Sequence, residues 1–115
     1  MDAVKRMRVI TSLLVVLAGT AYADVITDWN EKTVAAGVKA QAGVMQARNA
    51  AIVHVAMFDA LNAIERRYTP YRVQLAAAPG TSRDVAAAAA AHFILARLYP
   101  DQAKDLGAFY HTSLG

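Results

Sequence analysis

Residues 47–71 constrain the fold more than any other part of the chain. This segment is strongly helix-forming and has apolar residues on nearly every helical face. A helix that is apolar all round belongs inside a larger protein, because a surface helix needs a polar face. The segment nevertheless carries His54, Asp59, Asn62 and Glu65. The function depends largely on whether these residues are catalytic or are hydrogen-bonded structural residues.

Residues 1–23 have the three-part pattern of a cleavable secretory signal peptide. Three Lys or Arg residues among the first eight precede an apolar run at residues 9–18. Residues 21–23, Ala-Tyr-Ala, then give the small-x-small pattern of a signal-peptidase site. The apolar run is too short to span a bilayer, which takes roughly 20 residues. The pattern predicts an exported protein, periplasmic or secreted, that is cleaved between Ala23 and Asp24.

Removal of the signal peptide changes the charge of the chain. The whole sequence has a formal net charge of +3, whereas residues 24–115 keep nine Lys/Arg and eight Asp/Glu, a net charge of +1. The basic balance therefore belongs to the leader, and it does not indicate a nucleic-acid partner. The remaining 92 residues suffice for one small domain, and the lack of cysteine excludes disulfides and thiolate metal sites.

Capping residues and apolar periodicity predict an all-α chain with about four helices after the signal peptide. The first helix is expected at residues 28–40 with Asp28 as its N-cap, and the second at residues 46–67. Pro70 cannot continue a helix, so residues 68–81 are expected to form a connector.

The two remaining helices are expected at residues 82–99 and 101–114. Thr81 or Ser82 caps the first of these, which contains an unbroken alanine run at residues 86–91. Alanine favours helix and lets a neighbouring helix approach closely. Pro100 ends this helix, and Asp101 is expected to cap the next one.

His54 and Asp59 invite an acid–base or metal interpretation, but helix geometry separates them. Five residues at about 100° each place the two side chains roughly 140° apart around the helix. They therefore form neither a dyad nor a shared ion site from this helix alone. The favoured alternative is that His54 is a hydrogen-bonded core histidine and that Asp59 and Asn62 tie helix ends or loops together, because buried polar groups are normally hydrogen-bonded.

The other histidines do not form a recognisable metal site. His92 and His111 are each alone on their predicted helices, and no HxxxH or HxH spacing occurs. Haem ligation by His54 with Met45 or Met57 would lack the CxxCH attachment motif.

No other residue pattern indicates catalysis. Ser82 and Ser113 have neither a nucleophile-elbow nor a triad context, and no glycine-rich loop is present that would hold a phosphate. From these residues, no catalytic, cofactor-binding or metal-binding residue is predicted in this chain.

Several short motifs nevertheless follow one another in a recognisable order over most of residues 24–115. They are Asp28-Trp29-Asn30, Ala47-Arg48, the run HVAMFDALNAI at residues 54–64, the corner Tyr68-Thr69-Pro70-Tyr71, Pro79-Gly80, and an alanine-rich helix with His92. This order resembles the N-terminal region of the vanadium-dependent haloperoxidase-related proteins, in the type 2 phosphatidic acid phosphatase superfamily.

The resemblance implies an all-α enzyme of packed helical bundles, an acid phosphatase or a haloperoxidase, several times as long as this chain. That family binds phosphate or vanadate through Lys-x6-Arg-Pro, Pro-Ser-Gly-His and Ser-Arg-x5-His motifs in its C-terminal half. None of the three occurs in this sequence. Ser82-Arg83 matches the start of the third motif, but His92 follows Arg83 by nine residues instead of six. No family site residue therefore carries over, and vanadate would bind only in a full-length parent.

The leading hypothesis is that the chain is an exported N-terminal scaffold segment of such an enzyme, inactive alone, whose partner is the missing C-terminal half. The alternative is a free-standing exported four-helix module that binds a partner or self-associates through apolar helix faces. A third hypothesis, a metal- or haem-binding exported protein, predicts metal retained on purification. A phosphatase parent and a haloperoxidase parent remain equal alternatives.

Overall fold

The chain from residue 24 to residue 115 folds into four α-helices. A computed structural model describes these residues, and the predicted signal peptide lies outside them. The helices are α1 (Val25–Lys39), α2 (Met45–Glu65), α3 (Arg83–Leu98) and α4 (Ala103–Ser113), with a 3-10 turn, Pro100–Gln102, before α4. The predicted all-α class is confirmed. No helix in this part of the chain is long and apolar enough to cross a membrane.

Two helices begin at residues other than the predicted caps. The cap of α1 is Asp24 rather than Asp28, because Asp24 Oδ1 accepts the Thr27 N–H at 2.9 Å and the helix begins at Val25. Asp28 lies in the first turn of α1, where its negative charge interacts favourably with the positive end of the helix dipole. Asp101 is also not a cap, since it lies inside the 3-10 turn and α4 begins after it.

The connector between α2 and α3 begins earlier than predicted. Arg66 has a left-handed φ of 53°, which ends α2 at Glu65, and its N–H bonds the Asn62 carbonyl. This backbone conformation is uncommon for residues other than glycine. Arg66 and Arg67 therefore belong to the connector and not to the helix. At the far end Ser82, one of the two predicted caps, caps α3, with its Oγ accepting the Val85 N–H at 3.3 Å.

The helix pair α2–α3 lies at the centre of the fold, and the alanine run makes this possible. Ala87, Ala88 and Ala91 are fully buried in one cluster with Val53 and Met57 of α2. Small side chains at a helix contact let the two backbones approach closely. Helix α1 lies across α2 and α3, and α4 packs against α3.

A group of aromatic side chains joins α1, α3 and α4. Trp29 of α1 is wholly buried, and its ring meets Phe109 of α4 edge-on, with 4.8 Å between centroids. Leu106 of α4 is also wholly buried. The face of α1 that carries Trp29 is therefore fixed in the core, and the opposite face of the helix is exposed.

Candidate docking groove

The buried carboxylate of Asp59 holds the connector against α2. Its Oδ1 accepts the backbone N–H of Tyr71 at 2.8 Å, and its Oδ2 accepts those of Arg72 and Val73 at 2.8 and 3.0 Å. Only 6% of the residue is exposed. The prediction that Asp59 ties a loop to its helix is confirmed, and both carboxylate oxygens are engaged by the fold.

These contacts also set the charge state of Asp59. Burial, the largest single influence, raises the pKa of this carboxyl, but the N–H donors of Tyr71, Arg72 and Val73 together outweigh it. The net result is a pKa below the ordinary aspartate value of 3.8. Asp59 is therefore ionised at neutral pH, which suits an acceptor of several N–H groups and not a general acid.

Asn62 holds the connector at a second point. Its Nδ2 donates to the Tyr68 carbonyl at 2.7 Å, and its Oδ1 accepts the Tyr68 N–H at 2.9 Å. Asn62 is buried, and it follows Asp59 by three residues, so both side chains lie on neighbouring positions of one helix face. The predicted tying role of Asn62 is confirmed. Together the two residues fix the path of the connector immediately after α2.

His54 bonds a different helix. Its Nε2 lies 2.8 Å from Asn30 Oδ1 of α1, so Nε2 carries the proton and donates it. The residue is half-buried, so it is a hydrogen-bonded histidine at the edge of the core and not a fully enclosed one. His54 and Asp59 are thus engaged by separate partners, and the structure does not bring them together.

The remaining candidate residues also have structural contacts. His92 stacks on Tyr110 of α4 with 4.8 Å between ring centroids and 5° between the planes, and it lies beside Trp29. His111 is exposed near the end of α4, and Met57 is buried in the core. Within residues 24–115, no group of three or more His, Cys, Asp or Glu side chains is placed to hold a metal ion.

Within the described residues, Ser82 and Ser113 form hydrogen bonds neither with each other nor with a histidine. Ser82 caps α3, and the Ser113 hydroxyl donates to the Tyr110 carbonyl at 2.7 Å. One polar atom of the core is left without a partner there, the Nε1 of Trp29. An indole N–H donates but does not accept, so it offers neither a base nor a nucleophile.

The feature with the clearest functional character is an apolar groove between α2 and α3. It has a volume of about 610 Å³, and the connector forms one of its walls. Three large apolar side chains line it although they are exposed, namely Phe93 (54%), Val73 (47%) and Leu75 (70%). Because these exposed apolar side chains gather in one depression, the groove is the candidate interaction surface of the described residues.

One end of the groove is positively charged. Arg48 and Arg72 line a depression of about 500 Å³ that shares Ile52 and Val55 with the groove. Among the described residues, neither guanidinium forms an ion pair with a carboxylate. The backbone of Arg72 is held by Asp59, so the same clamp that builds the wall of the groove also places this cation at its end.

Sequence reasoning did not find this arrangement. The three- and four-residue spacing of Arg48, Ile52 and Val55 places them on one face of a helix, together with Asp59. The position of Arg72 depends on the path of the connector, which no local pattern specifies. The role of Asn30 as the partner of His54 was missed for the same reason, because 24 residues separate the two.

The arrangement is suited to binding. It presents an apolar trough with a cationic end, and the carboxylate beside it, that of Asp59, is engaged by backbone N–H groups. No family model matches the chain, and no curated protein or solved structure matches it either. Any statement about its function therefore rests on the residues and on this geometry.

Proposed function

We propose that this chain is an exported helical scaffold segment whose α2–α3 groove docks against other helices. In this proposal it corresponds to the N-terminal part of a fold like that of the vanadium-dependent haloperoxidase-related proteins, within the type 2 phosphatidic acid phosphatase superfamily. The chain carries no phosphate- or vanadate-binding motif and is inactive alone. The remainder of such a fold covers the groove and supplies the anion-binding residues.

The apolar groove is the observation that carries the proposal. Its exposed Phe93 and Leu75 are large enough to contribute substantially to binding when they are covered, at roughly 25 cal/mol for each Å² of apolar surface buried. Asp59 and Asn62 keep the connector in place as one wall, so the groove exists before a partner arrives. A preformed groove lowers the entropic cost of docking.

The polar residues that carry the resemblance support a scaffold role as well. Within the run at residues 54–64, His54 bonds α1, and Asp59 and Asn62 bond the connector. Trp29 of the first motif is the largest fully buried side chain. Each of these residues builds the fold, which is what a framework segment requires.

The sequence of the gene downstream of residue 115, read in all three frames, tests the scaffold proposal. We expect a Lys-x6-Arg-Pro motif followed by Pro-Ser-Gly-His. Absence of both motifs from every frame would contradict the proposal. As a second measurement, the purified chain is assayed for p-nitrophenyl phosphate hydrolysis and for vanadate-dependent bromide oxidation. We expect rates equal to those of buffer, and a saturable rate in either assay would exclude an inactive scaffold.

A further inference from the structure

We propose that, in this chain on its own, the groove of one copy receives helix α1 of a second copy. The inference rests on the docking role proposed above and assigns an occupant to the groove. It makes the contact head-to-tail, because the surface that inserts and the surface that receives are different parts of the same molecule.

The outward face of α1 carries a stripe of exposed residues that is suited to insertion into a groove. Glu31, Val34 and Val38 recur at three- and four-residue spacing and so form one stripe. Val34 is 43% exposed and Val38 is 64% exposed, although both are β-branched apolar residues. The opposite face of α1 carries Trp29 and is fixed in the core, so the stripe is presented to a partner and not to its own chain.

The charges of the stripe and the groove are complementary. Asp28 and Glu31 lie at the N-terminal end of the stripe, whereas Arg48 and Arg72 lie at one end of the groove. Lys32, the cation beside these acids, is already paired with Asp105 at 2.8 Å. The acidic end therefore retains its negative charge, and pairing opposite charges at the rim of a contact steers and orients association.

The lengths of the two surfaces agree. Glu31 precedes Val38 by seven residues, a rise of roughly 10 Å, and Ile52 precedes Ala60 by eight, roughly 12 Å. When Glu31 meets the arginine end, Val34 and Val38 lie along the apolar part of the groove. The inserted α1 then runs parallel to α2 of the receiving copy.

This geometry defines the kind of assembly that forms. After a first contact one copy keeps a free groove and the other keeps a free stripe, so association continues until a ring closes or extends as an open chain. One helix in one groove buries less than the approximately 1,600 Å² of a standard stable interface. The association is therefore weak and depends on protein concentration.

Two charge reversals and their mixture test the inference. The full 115-residue sequence is expressed, and the wild-type protein, Glu31→Arg and Arg72→Glu are each followed by sedimentation velocity over a concentration series. Both substitutions lie on exposed residues, and Arg72 contributes only its backbone N–H to the Asp59 clamp. Circular dichroism and mass spectrometry record helix content and the N-terminus of each product.

We expect the wild-type protein to associate and each single variant to associate at least about ten-fold more weakly, because like charges then meet at the rim. An equimolar mixture of the two variants regains association, since the unaltered acidic stripe of Arg72→Glu enters the unaltered cationic groove of Glu31→Arg. Val38→Asp, which places a charge in the apolar part of the contact, weakens association independently of the arginines.

Three results would overturn the inference. They are a wild-type protein that stays monomeric at every concentration, single variants that associate as the wild type does, and a mixture that behaves as the sum of its parts. Each of these leaves the scaffold proposal intact, because the groove can still dock helices from another protein segment. Conversely, absence of the downstream motifs would contradict the scaffold proposal, and it would not alter the association expected for the mixture of the two variants.

Discussion

The carboxylate of Asp59 accepts the backbone N–H of Arg72 at 2.8 Å, so a buried acid on α2 fixes a cation of the connector at the end of an apolar groove. The same side chain also accepts the N–H groups of Tyr71 and Val73. A residue that resembles a catalytic acid in the sequence is thus a structural clamp. Its removal is expected to affect the fold and the groove together.

Asp59→Asn tests the clamp. An asparagine amide presents one oxygen and one NH2 group, and the NH2 group would face backbone N–H donors. We expect the free energy of unfolding to fall by about 1.5–3 kcal/mol, the usual range for hydrogen bonds to a charged group. Hydrogen exchange at the amides of Tyr71, Arg72 and Val73 is expected to accelerate selectively. Asp84→Asn, an exposed acid in the first turn of α3, serves as the control with a smaller loss. Unchanged protection of the three amides would contradict the clamp.

The contribution of Asp59 is expected to depend on pH. Because its folded-state pKa lies below the ordinary value of 3.8, the stabilisation is complete above that value and is lost as the pH falls through the folded-state pKa. The difference in unfolding free energy between wild type and Asp59→Asn should therefore be constant near neutrality and shrink below roughly pH 4.

Urea unfolding at a series of pH values measures this difference. Two other carboxyls within residues 24–115 have lowered pKa values, Asp24 through the backbone N–H of Thr27 and Asp105 through the hydrogen bond from Lys32. Both are present in wild type and variant alike, so they cancel in the comparison. A difference that stays the same down to pH 2 would show that the charge of Asp59 is not what holds the connector.

We expect both truncation of the Asn62 side chain and its replacement by a carboxylate to lower stability. Asn62→Ala leaves the N–H and the carbonyl of Tyr68 without their side-chain partner, at a cost of about 1–3 kcal/mol. Asn62→Asp is not expected to restore stability, because its second oxygen would face the Tyr68 carbonyl oxygen. Thermal unfolding compares the three proteins. An Asn62→Asp variant as stable as wild type would show that the contact with the Tyr68 carbonyl is unimportant.

Substitution by leucine is expected to change the unfolding free energy by different amounts at two neighbouring alanines of α3. Ala88 is fully buried in the core, so Ala88→Leu overpacks it and costs about 1–3 kcal/mol. Ala89 lines the groove, where the same substitution has open space to fill. We expect Ala89→Leu to change the unfolding free energy by less than about 1 kcal/mol. Equal losses in the two variants would mean that the groove is not open at Ala89.

The helices were predictable because their signals are local. Apolar periodicity, Pro70 and the Ser82 cap specify where α2 and α3 lie and where the connector separates them. The start of α1 was predicted wrongly at Asp28, because an aspartate there has the properties of a cap whereas the helix begins one turn earlier, after Asp24. The earlier start lets Val25 and Ile26 pack against the core, and this contact is visible only in the folded chain.

The site was predictable only in part, and the reason is again the range of the interactions. Angular spacing on one helix was enough to separate His54 from Asp59, and the rule that buried polar groups are hydrogen-bonded favoured structural roles for both. Their partners, Asn30 and the backbone of residues 71–73, come from other segments, so one helix pattern cannot identify them. The groove and its cationic end follow from those same long-range contacts.

Binding of an apolar fluorescent dye tests most directly whether the groove is an open docking surface. The dye anilinonaphthalene sulfonate is apolar and carries one negative charge, so it matches both the trough and its arginine end. It is titrated into wild type and Ala89→Leu at concentrations where each protein is monomeric, with near-UV circular dichroism confirming fixed tertiary structure. We expect saturable binding to the wild-type protein and at least several-fold weaker binding to the groove-filled variant. Equal binding to the two folded proteins, or none to the wild type, would contradict the groove as the functional surface of this chain.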